Sequence, residues 1–159
     1  MSTENQIILT AAGFRKLEKE LERLRTVSRR EVADRIRESK QFGDLSENAE
    51  FEEAKIEQAF VEGRIRDLQR VMQVAHVVDP DEVPTDCVGI GSVVTVEDLS
   101  SGDVWELTLV GSVESDPAND RVSDESPVGQ ALFGRQVGDE VRVRTPDGSI
   151  GYRITGIRR

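Results

Sequence analysis

Apolar residues in the first half of the chain recur at alternating intervals of three and four, which is the seam pattern of a coiled coil. The first run consists of Phe14, Leu17, Leu21 and Leu24. It continues at Val32 and Ile36 after a slip around residues 28–30. We therefore predict a long first helix, capped at its start by the hydroxyl of Thr10 and ended by Gly43.

A second seam follows almost at once and predicts a return helix. Its members are Phe51, Ala54, Gln58, Val61, Ile65, Leu68 and Met72. A helix of about 30 residues is roughly 45 Å long. The connection around residues 43–46 is so short that it favours an antiparallel hairpin within one chain. A coiled coil that dimerises through the same seam is the alternative, and it is disfavoured because the seam restarts directly after a glycine turn.

After residue 78 the hydrophobic period changes from helical to two, as in strands. The predicted strands cover residues 92–97, 104–110, 140–144 and 150–157. The last two are joined by a tight turn, Thr145–Gly148, with Pro146 in a position that favours a type I turn. Ser126 and Pro127 are typical of a helix start, and they predict a short helix through Leu132 that stops at Gly134.

The predicted fold class is therefore α+β with two domains in series. Residues 1–77 form an antiparallel coiled-coil finger whose tip lies at residues 43–48, and residues 78–159 form a small antiparallel β domain with one short helix. All five prolines and ten of the thirteen glycines fall in the second domain. This composition fits a turn-rich β structure that follows a helical one.

The net charge differs between the two halves of the chain, and this difference indicates which class of partner each half can bind. The net charge is −10 over 159 residues. Residues 1–77 hold 14 Lys/Arg and 15 Asp/Glu, whereas residues 78–159 hold 7 and 16. An acidic second half argues against binding nucleic acid through a broad basic face and favours a protein partner. No 18-residue apolar run or charged-then-apolar leader is present, so we expect a soluble cytoplasmic protein without membrane contact.

The usual catalytic side chains are scarce. Cys87 is the only cysteine and His76 the only histidine. A lone cysteine cannot form an internal disulfide or a thiolate metal site, and His76 lies in a strand-like stretch without further ligands. We interpret both residues as structural.

The predicted tip carries two carboxylates, Asp44 and Glu47, in a D-x-x-E relation at the start of the return helix. Such a pair is typical of helix capping, and capping alone is one interpretation. Carboxylates are also the ligands that Mg²⁺ prefers, although two of them cannot complete its shell. An exposed half-site on a finger therefore implies that another macromolecule supplies the rest. Lys40 and Lys55, about one turn from the tip, are either ordinary solvated lysines or a basic patch for a phosphate backbone.

Several segments closely resemble the bacterial Gre transcript-cleavage factors of the GreA type. They are residues 43–51, 62–65, 126–132, 138–141 and 145–148, so the resemblance covers both domains in order. It implies a transcription elongation factor whose coiled coil enters the secondary channel of RNA polymerase. It also implies an FKBP-like C-terminal domain that grips the rim of that channel.

The resemblance further implies roles for individual residues. Asp44 and Glu47 would help hold the second Mg²⁺ of the polymerase, which then cleaves backtracked nascent RNA. Lys40 and Lys55 would face the RNA 3′ end, and residues 125–127 (Glu125, Ser126 and Pro127) would dock on polymerase. The factor would act in trans as a monomer, with no cofactor of its own and no enzyme activity of its own.

Three other functions remain as alternatives. A Gre-like regulator would occupy the same channel and inhibit without cleavage. A prolyl isomerase or chaperone would need an aromatic pocket, for which the second domain offers Trp105, Phe133 and Tyr152. A plain structural hairpin leaves the acidic second domain without a role. A self-contained nuclease is excluded, because the chain offers too few metal ligands.

Overall fold

The structure is a computed structural model that describes residues 6–40 and 49–159. Helices α1 to α4 and strands β1 to β7 are numbered in chain order. They are β1 (Ile7–Thr10), α1 (Ala11–Arg23), α2 (Arg29–Lys40), α3 (Ala49–Val74), β2 (Ala75–Val78), β3 (Val93–Asp98), β4 (Val104–Val110), β5 (Arg121–Ser123), α4 (Pro127–Leu132), β6 (Glu140–Thr145) and β7 (Gly148–Arg158). None of the described helices is both long and apolar enough to cross a membrane.

The chain divides into two compact units. The hairpin unit is Arg15–Val74, and the sheet unit combines Met1–Phe14 with Ala75–Arg159. The predicted boundary lies between residues 77 and 78, whereas the hairpin unit in the structure begins later, at Arg15, and ends earlier, at Val74. The reason is a two-stranded parallel sheet that pairs Ile7 with Ala75 and Thr10 with Val78. That pairing draws β1 and β2 into the sheet unit.

The helical seam is confirmed, and its slip has a structural cause. A π-helical turn, Leu24–Ser28, connects α1 and α2. Because a π turn holds one more residue than an α turn, the seam can move from Leu24 to Val32 and keep facing α3. Val32, Val61 and Ile65 form the buried centre of the hairpin, and Leu21, Leu24 and Ile36 pack against it.

Three ion pairs between the helices show that the hairpin is antiparallel. They are Glu20–Arg64, Arg29–Glu62 and Arg35–Glu57. The sequence separation of the partners falls from 44 to 33 to 22 residues as the pairs approach the end of α2. Only two antiparallel segments give that order. The seam is thus closed within one chain, while the predicted cap at Gly43 lies outside the described residues.

The sheet unit contains a five-stranded sheet in the order β5-β4-β3-β7-β6. All four predicted strands are present, and their pairs are antiparallel. The prediction of a wholly antiparallel sheet is wrong at one edge, because β5 pairs with β4 in parallel. Two short 3₁₀ turns, Ser112–Glu114 and Pro117–Asn119, bring the chain back before β5 starts. The core beneath is Val88, Val94, Val96, Leu107, Leu109, Val122, Leu132, Val141 and Ile154.

The short helix α4 begins and ends as its sequence predicts. The hydroxyl of Ser126 accepts a hydrogen bond from the backbone N–H of Gly129 at 3.0 Å, and Pro127 is the first helical residue. Gly134 follows the helix with a φ of 78°, in the left-handed region. Gly129 has no room for a side chain, since a Cβ there would lie 1.9 Å from the carbonyl oxygen of Ser123. The start of α4 is therefore packed directly against the end of β5.

Candidate functional site

The predicted tip acids, Asp44 and Glu47, lie outside the described residues. What the structure gives is the pair of helix ends on either side of them. Helix α2 ends at Lys40 and α3 begins at Ala49. Residues 41–48 connect the two helices in the sequence and include both acids.

The two predicted basic residues lie on the helices that flank this segment, and both are exposed. The ammonium of Lys40 lies 5.9 Å from the centre of the Phe51 ring, within the range of a cation–π contact between α2 and α3. The ammonium of Lys55 donates to the side-chain oxygen of Gln58 at 3.2 Å, along α3. Lys40 is thus oriented by the other helix, whereas Lys55 is held only by its own.

A shallow surface cavity of about 310 Å³ lies beside these helix ends. Its lining consists of Arg35, Glu38, Ser39, Glu50 and Glu53. Its charges are mixed, and Arg35 is already paired with Glu57. In the described part of the chain, no group of three or more His, Cys, Asp or Glu side chains could hold a metal ion.

Along the shaft of the hairpin, ion pairs fix charged side chains against the opposite helix. Arg29 donates two hydrogen bonds to the carboxylate of Glu62, at 2.8 and 2.9 Å. These bonds lower the pKa of Glu62 and raise that of Arg29. Arg64 makes a similar fork to Glu20, at 2.8 and 3.1 Å, which raises the pKa of Arg64. These four side chains are therefore held between the helices of the hairpin.

The predicted docking residues form one turn at the start of α4. The backbone N–H of Glu125 donates to the hydroxyl of Ser123 at 3.0 Å, and the hydroxyl of Ser126 donates to the carbonyl of Ser123 at 2.6 Å. Ser123 is buried, whereas Glu125 and Pro127 are exposed. The turn therefore presents a carboxylate and a proline ring on a fixed backbone.

A buried acid that sequence reasoning missed anchors the first turn of α1. The side chain of Glu114 is 5% exposed, and it accepts hydrogen bonds from the backbone N–H and the hydroxyl of Thr10, each at 2.7 Å. Arg121 approaches the same carboxylate at 3.4 Å. The Thr10 hydroxyl in turn accepts from the N–H of Gly13 at 3.0 Å, which confirms the predicted cap. No local signal could reveal Glu114, because it lies 104 residues from Thr10.

The aromatic side chains of the second domain do not gather around one cavity. Trp105 and Tyr152 pack together, with ring centres 6.2 Å apart, and both lie against the core. Phe133 is 55% exposed. A surface cavity of about 310 Å³ on the sheet unit is lined by Leu99, Ser100, Glu140, Val141, Arg142, Ser149 and Gly151, without an aromatic ring. This arrangement gives the isomerase alternative no support.

Two family models match consecutive parts of the chain. The model for the N-terminal domain of transcription elongation factors matches residues 7–77, and the model for the C-terminal domain of GreA/GreB transcription elongation factors matches residues 83–159. The chain belongs to the GreA/GreB family. It is a bacterial transcription elongation factor of the GreA type, as the resemblance of its sequence motifs predicts.

Individual relatives agree with the GreA/GreB assignment. The GreA of Acetivibrio thermocellus is 49% identical over 159 residues and covers 100% of both chains. The GreA of Thermoanaerobacter pseudethanolicus is 51% identical over 153 residues, which are 96% of this chain and 98% of that one. Among solved structures, GreA factor homolog 1 of Thermus thermophilus is 32% identical over 98% of this chain and 100% of that one, with a TM-score of 0.44. The assignment rests on the family models and the sequence identities.

Proposed function

We propose that this elongation factor inserts its hairpin into the secondary channel of RNA polymerase and stimulates the Mg²⁺-dependent cleavage of backtracked RNA by the polymerase. Membership of the GreA/GreB family supports this role. The factor makes no chemical bond itself, so we do not class it as an enzyme. Its contribution is to bring carboxylates to the active centre of its partner.

The observation that carries the proposal is the antiparallel pairing of α2 and α3, the two helices between which the acids stand in the sequence. The ion pairs fix α2 and α3 as antiparallel, so their connection belongs to one end of the hairpin. Asp44 and Glu47 are both in that connection. Three ion pairs hold α1 and α2 against α3, so the hairpin is a long, narrow element that can carry two carboxylates into a channel.

The donor chemistry fits a shared ion. Mg²⁺ takes six oxygen ligands and is commonly held by one or two carboxylates together with phosphate oxygens and water. In a two-metal site the second ion activates water and stabilises the leaving oxygen. Asp44 and Glu47 supply two of the oxygen ligands, and the partner and its RNA supply the others. The chain itself then needs no complete metal site.

The remaining predicted residues fit supporting roles. Lys40 and Lys55 are exposed beside the tip and can pair with RNA phosphates. The turn formed by Glu125, Ser126 and Pro127 is the docking contact of the sheet unit with polymerase, on a domain that we assign as FKBP-like. We expect the factor to act as a monomer in the cytoplasm.

The test is cleavage of a stalled, backtracked elongation complex by the wild type, Asp44→Asn and Glu47→Gln. Both variants should lose stimulated cleavage and still displace labelled wild-type factor from polymerase, since the carboxylates act on the metal and leave docking intact. Glu52→Gln is the matched control, because it removes an exposed acid from the first turn of α3, and it should cleave normally. Normal cleavage by Asp44→Asn would contradict the assignment. A wild type that binds and slows polymerase without cleavage would assign the inhibitory function instead.

A further inference from the structure

Between Glu52 and Arg66, helix α3 has a second face that carries no charged residue and that the hairpin does not use. Four residues make up this outer stripe: Ile56, Ala59, Phe60 and Gly63. Their positions i, i+3, i+4 and i+7 place them on one face of the helix. At 100° per residue that face is about 180° from the seam that packs against α1 and α2. The stripe therefore points away from the hairpin's own core.

Exposure of the outer stripe is unusual for its residue types. Ile56 is 69% exposed and Phe60 is 71% exposed, the highest values among the large apolar side chains of the described residues. Single exposed apolar residues are common on protein surfaces and require no explanation. Two adjacent ones on a helix, together with Ala59, form a continuous uncharged surface in a chain of which 33% is charged. Such a surface marks a contact site.

Gly63 supplies an independent argument. It lies in the interior of α3, where glycine destabilises a helix relative to alanine. A Cβ at this position would meet only the end of the Arg66 side chain, at 3.9 Å, so the hairpin itself does not require a glycine. The packing inside the hairpin therefore gives no reason for glycine here, which is consistent with a partner that approaches this face closely.

The charges around the outer stripe limit what can bind there. Glu62 and Arg64 on its flanks are both engaged with the opposite helix, by Arg29 and Glu20. One cation, Arg66, reaches the end of the stripe, 3.9 Å from where a Cβ on Gly63 would lie, and a single cation does not make the basic face that a phosphate backbone requires. Apolar anchors at i, i+3, i+4 and i+7 are the pattern by which a helix lies in an apolar groove of a protein. The occupant is therefore a protein surface.

We propose that the outer stripe is a second polymerase contact, which seats α3 against an apolar part of the channel wall. This inference rests on the proposed insertion of the hairpin. Ile56 is seven residues from the start of α3, so the stripe begins about 10 Å behind that end of the helix and extends about 10 Å further. A patch on one face of the hairpin can meet the wall in one rotational setting only. The outer stripe thus fixes the rotation of the hairpin about its own axis, and with it the direction in which the tip acids point.

The test compares Phe60→Ala and Gly63→Ala with the wild type, using full-length factor and backtracked complexes over a range of factor concentrations. Phe60→Ala should raise the half-saturating concentration at least tenfold, as truncation of an aromatic anchor does. Gly63→Ala should weaken the factor in the same sense while it raises the melting temperature, because alanine favours the helix. If Gly63 had a purely structural role, the activity of the factor and its melting temperature would change in the same direction. Val104→Ala, which truncates a 68% exposed side chain on β4, is the control and should behave as wild type.

Two further measurements separate the possible failures. Binding to polymerase is followed apart from cleavage, by displacement of labelled wild-type factor. If the wild type binds but does not stimulate cleavage, the proposed function fails, and weaker binding of Phe60→Ala still supports the outer stripe. If both variants bind and cleave as the wild type does, the inference is overturned. It is also overturned if sedimentation shows a wild-type dimer that Phe60→Ala dissociates, since the stripe would then join two copies of this chain.

Discussion

The hairpin unit and the sheet unit are stabilised in different ways. The sheet unit buries nine apolar side chains in one cluster, among them Leu107, Leu109 and Ile154, each at most 1% exposed. The central cluster of the hairpin contains three, and the ion pairs beside it are exposed to solvent. Two helices can bury only one face each, so the hairpin must combine a narrow seam with surface charge.

The difference in packing gives the two units different properties. A fully buried core keeps the turn at the start of α4 on a fixed backbone. A thin hairpin leaves the opposite face of α3 exposed, and its local stability is expected to be lower than that of the sheet unit. A substitution in the core of one unit should therefore lower the stability of that unit and leave the stability of the other unchanged.

The largest expected effect comes from a cavity in the sheet core. Leu109→Ala, at a position 0% exposed, should reduce the free energy of unfolding of the sheet unit by about 3 kcal/mol. Trp105 is the only tryptophan and packs against this core, so its fluorescence reports this unit alone. In a denaturant titration, the midpoint of the fluorescence transition should move to a lower denaturant concentration. The midpoint of the helical circular dichroism transition should move less. Equal shifts of both signals would mean that the two units unfold as one.

The next effect is a cavity in the hairpin seam. Ile65→Ala should cost about 2 kcal/mol, less than in the sheet core because the helices can close around a small cavity. The circular dichroism signal of the helices should be lost at a lower denaturant concentration than in the wild type, while the midpoint of the Trp105 fluorescence transition should not change. Ile56→Ala is the matched control, with the same residue type in the same helix but 69% exposed, and it should change stability by less than about 0.5 kcal/mol. Equal losses from the two variants would contradict the assignment of the seam.

The smallest effect is the acid sensitivity of the hairpin. The hydrogen bonds from Arg29 lower the pKa of Glu62, so the ionised carboxylate stabilises the fold. That stabilisation is present above the unfolded pKa of a glutamate, about 4.3, and is lost as the pH falls through the lowered value below it. Helicity of the wild type should therefore decrease below about pH 4.3, and Glu62→Gln should show a weaker dependence on pH. Identical pH profiles would show that the pair has no influence on stability.

Regular features of both units could be predicted from local sequence. The seam, its slip near residue 28, the Thr10 cap and the Ser126–Pro127 helix start all depend on neighbours within a few residues. The positions of the predicted strands required no long-range information either, because their period of two and the Thr145–Gly148 turn are local signals. These features agree with the structure for that reason.

Long-range pairings were not predictable in the same way. Strand β5 has three residues, too few to show a period, and its parallel pairing depends on two 3₁₀ turns. Strands β1 and β2 pair across an intervening helical hairpin, and Glu114 caps a helix 104 residues away. At the candidate site, the residue types of the tip could be predicted from the sequence, whereas the exposure of Ile56 and Phe60 depends on how α3 packs against α1 and α2.

The most direct test of the central claim is the Mg²⁺ dependence of RNA cleavage in backtracked complexes. Polymerase alone, polymerase with wild-type factor and polymerase with Asp44→Asn are compared at saturating factor concentration. If the acids of the hairpin hold a shared ion, the wild type should reach half-maximal cleavage at several-fold lower Mg²⁺ than polymerase alone, and Asp44→Asn should follow the curve of polymerase alone. A curve for Asp44→Asn that coincides with that of the wild type would contradict the account.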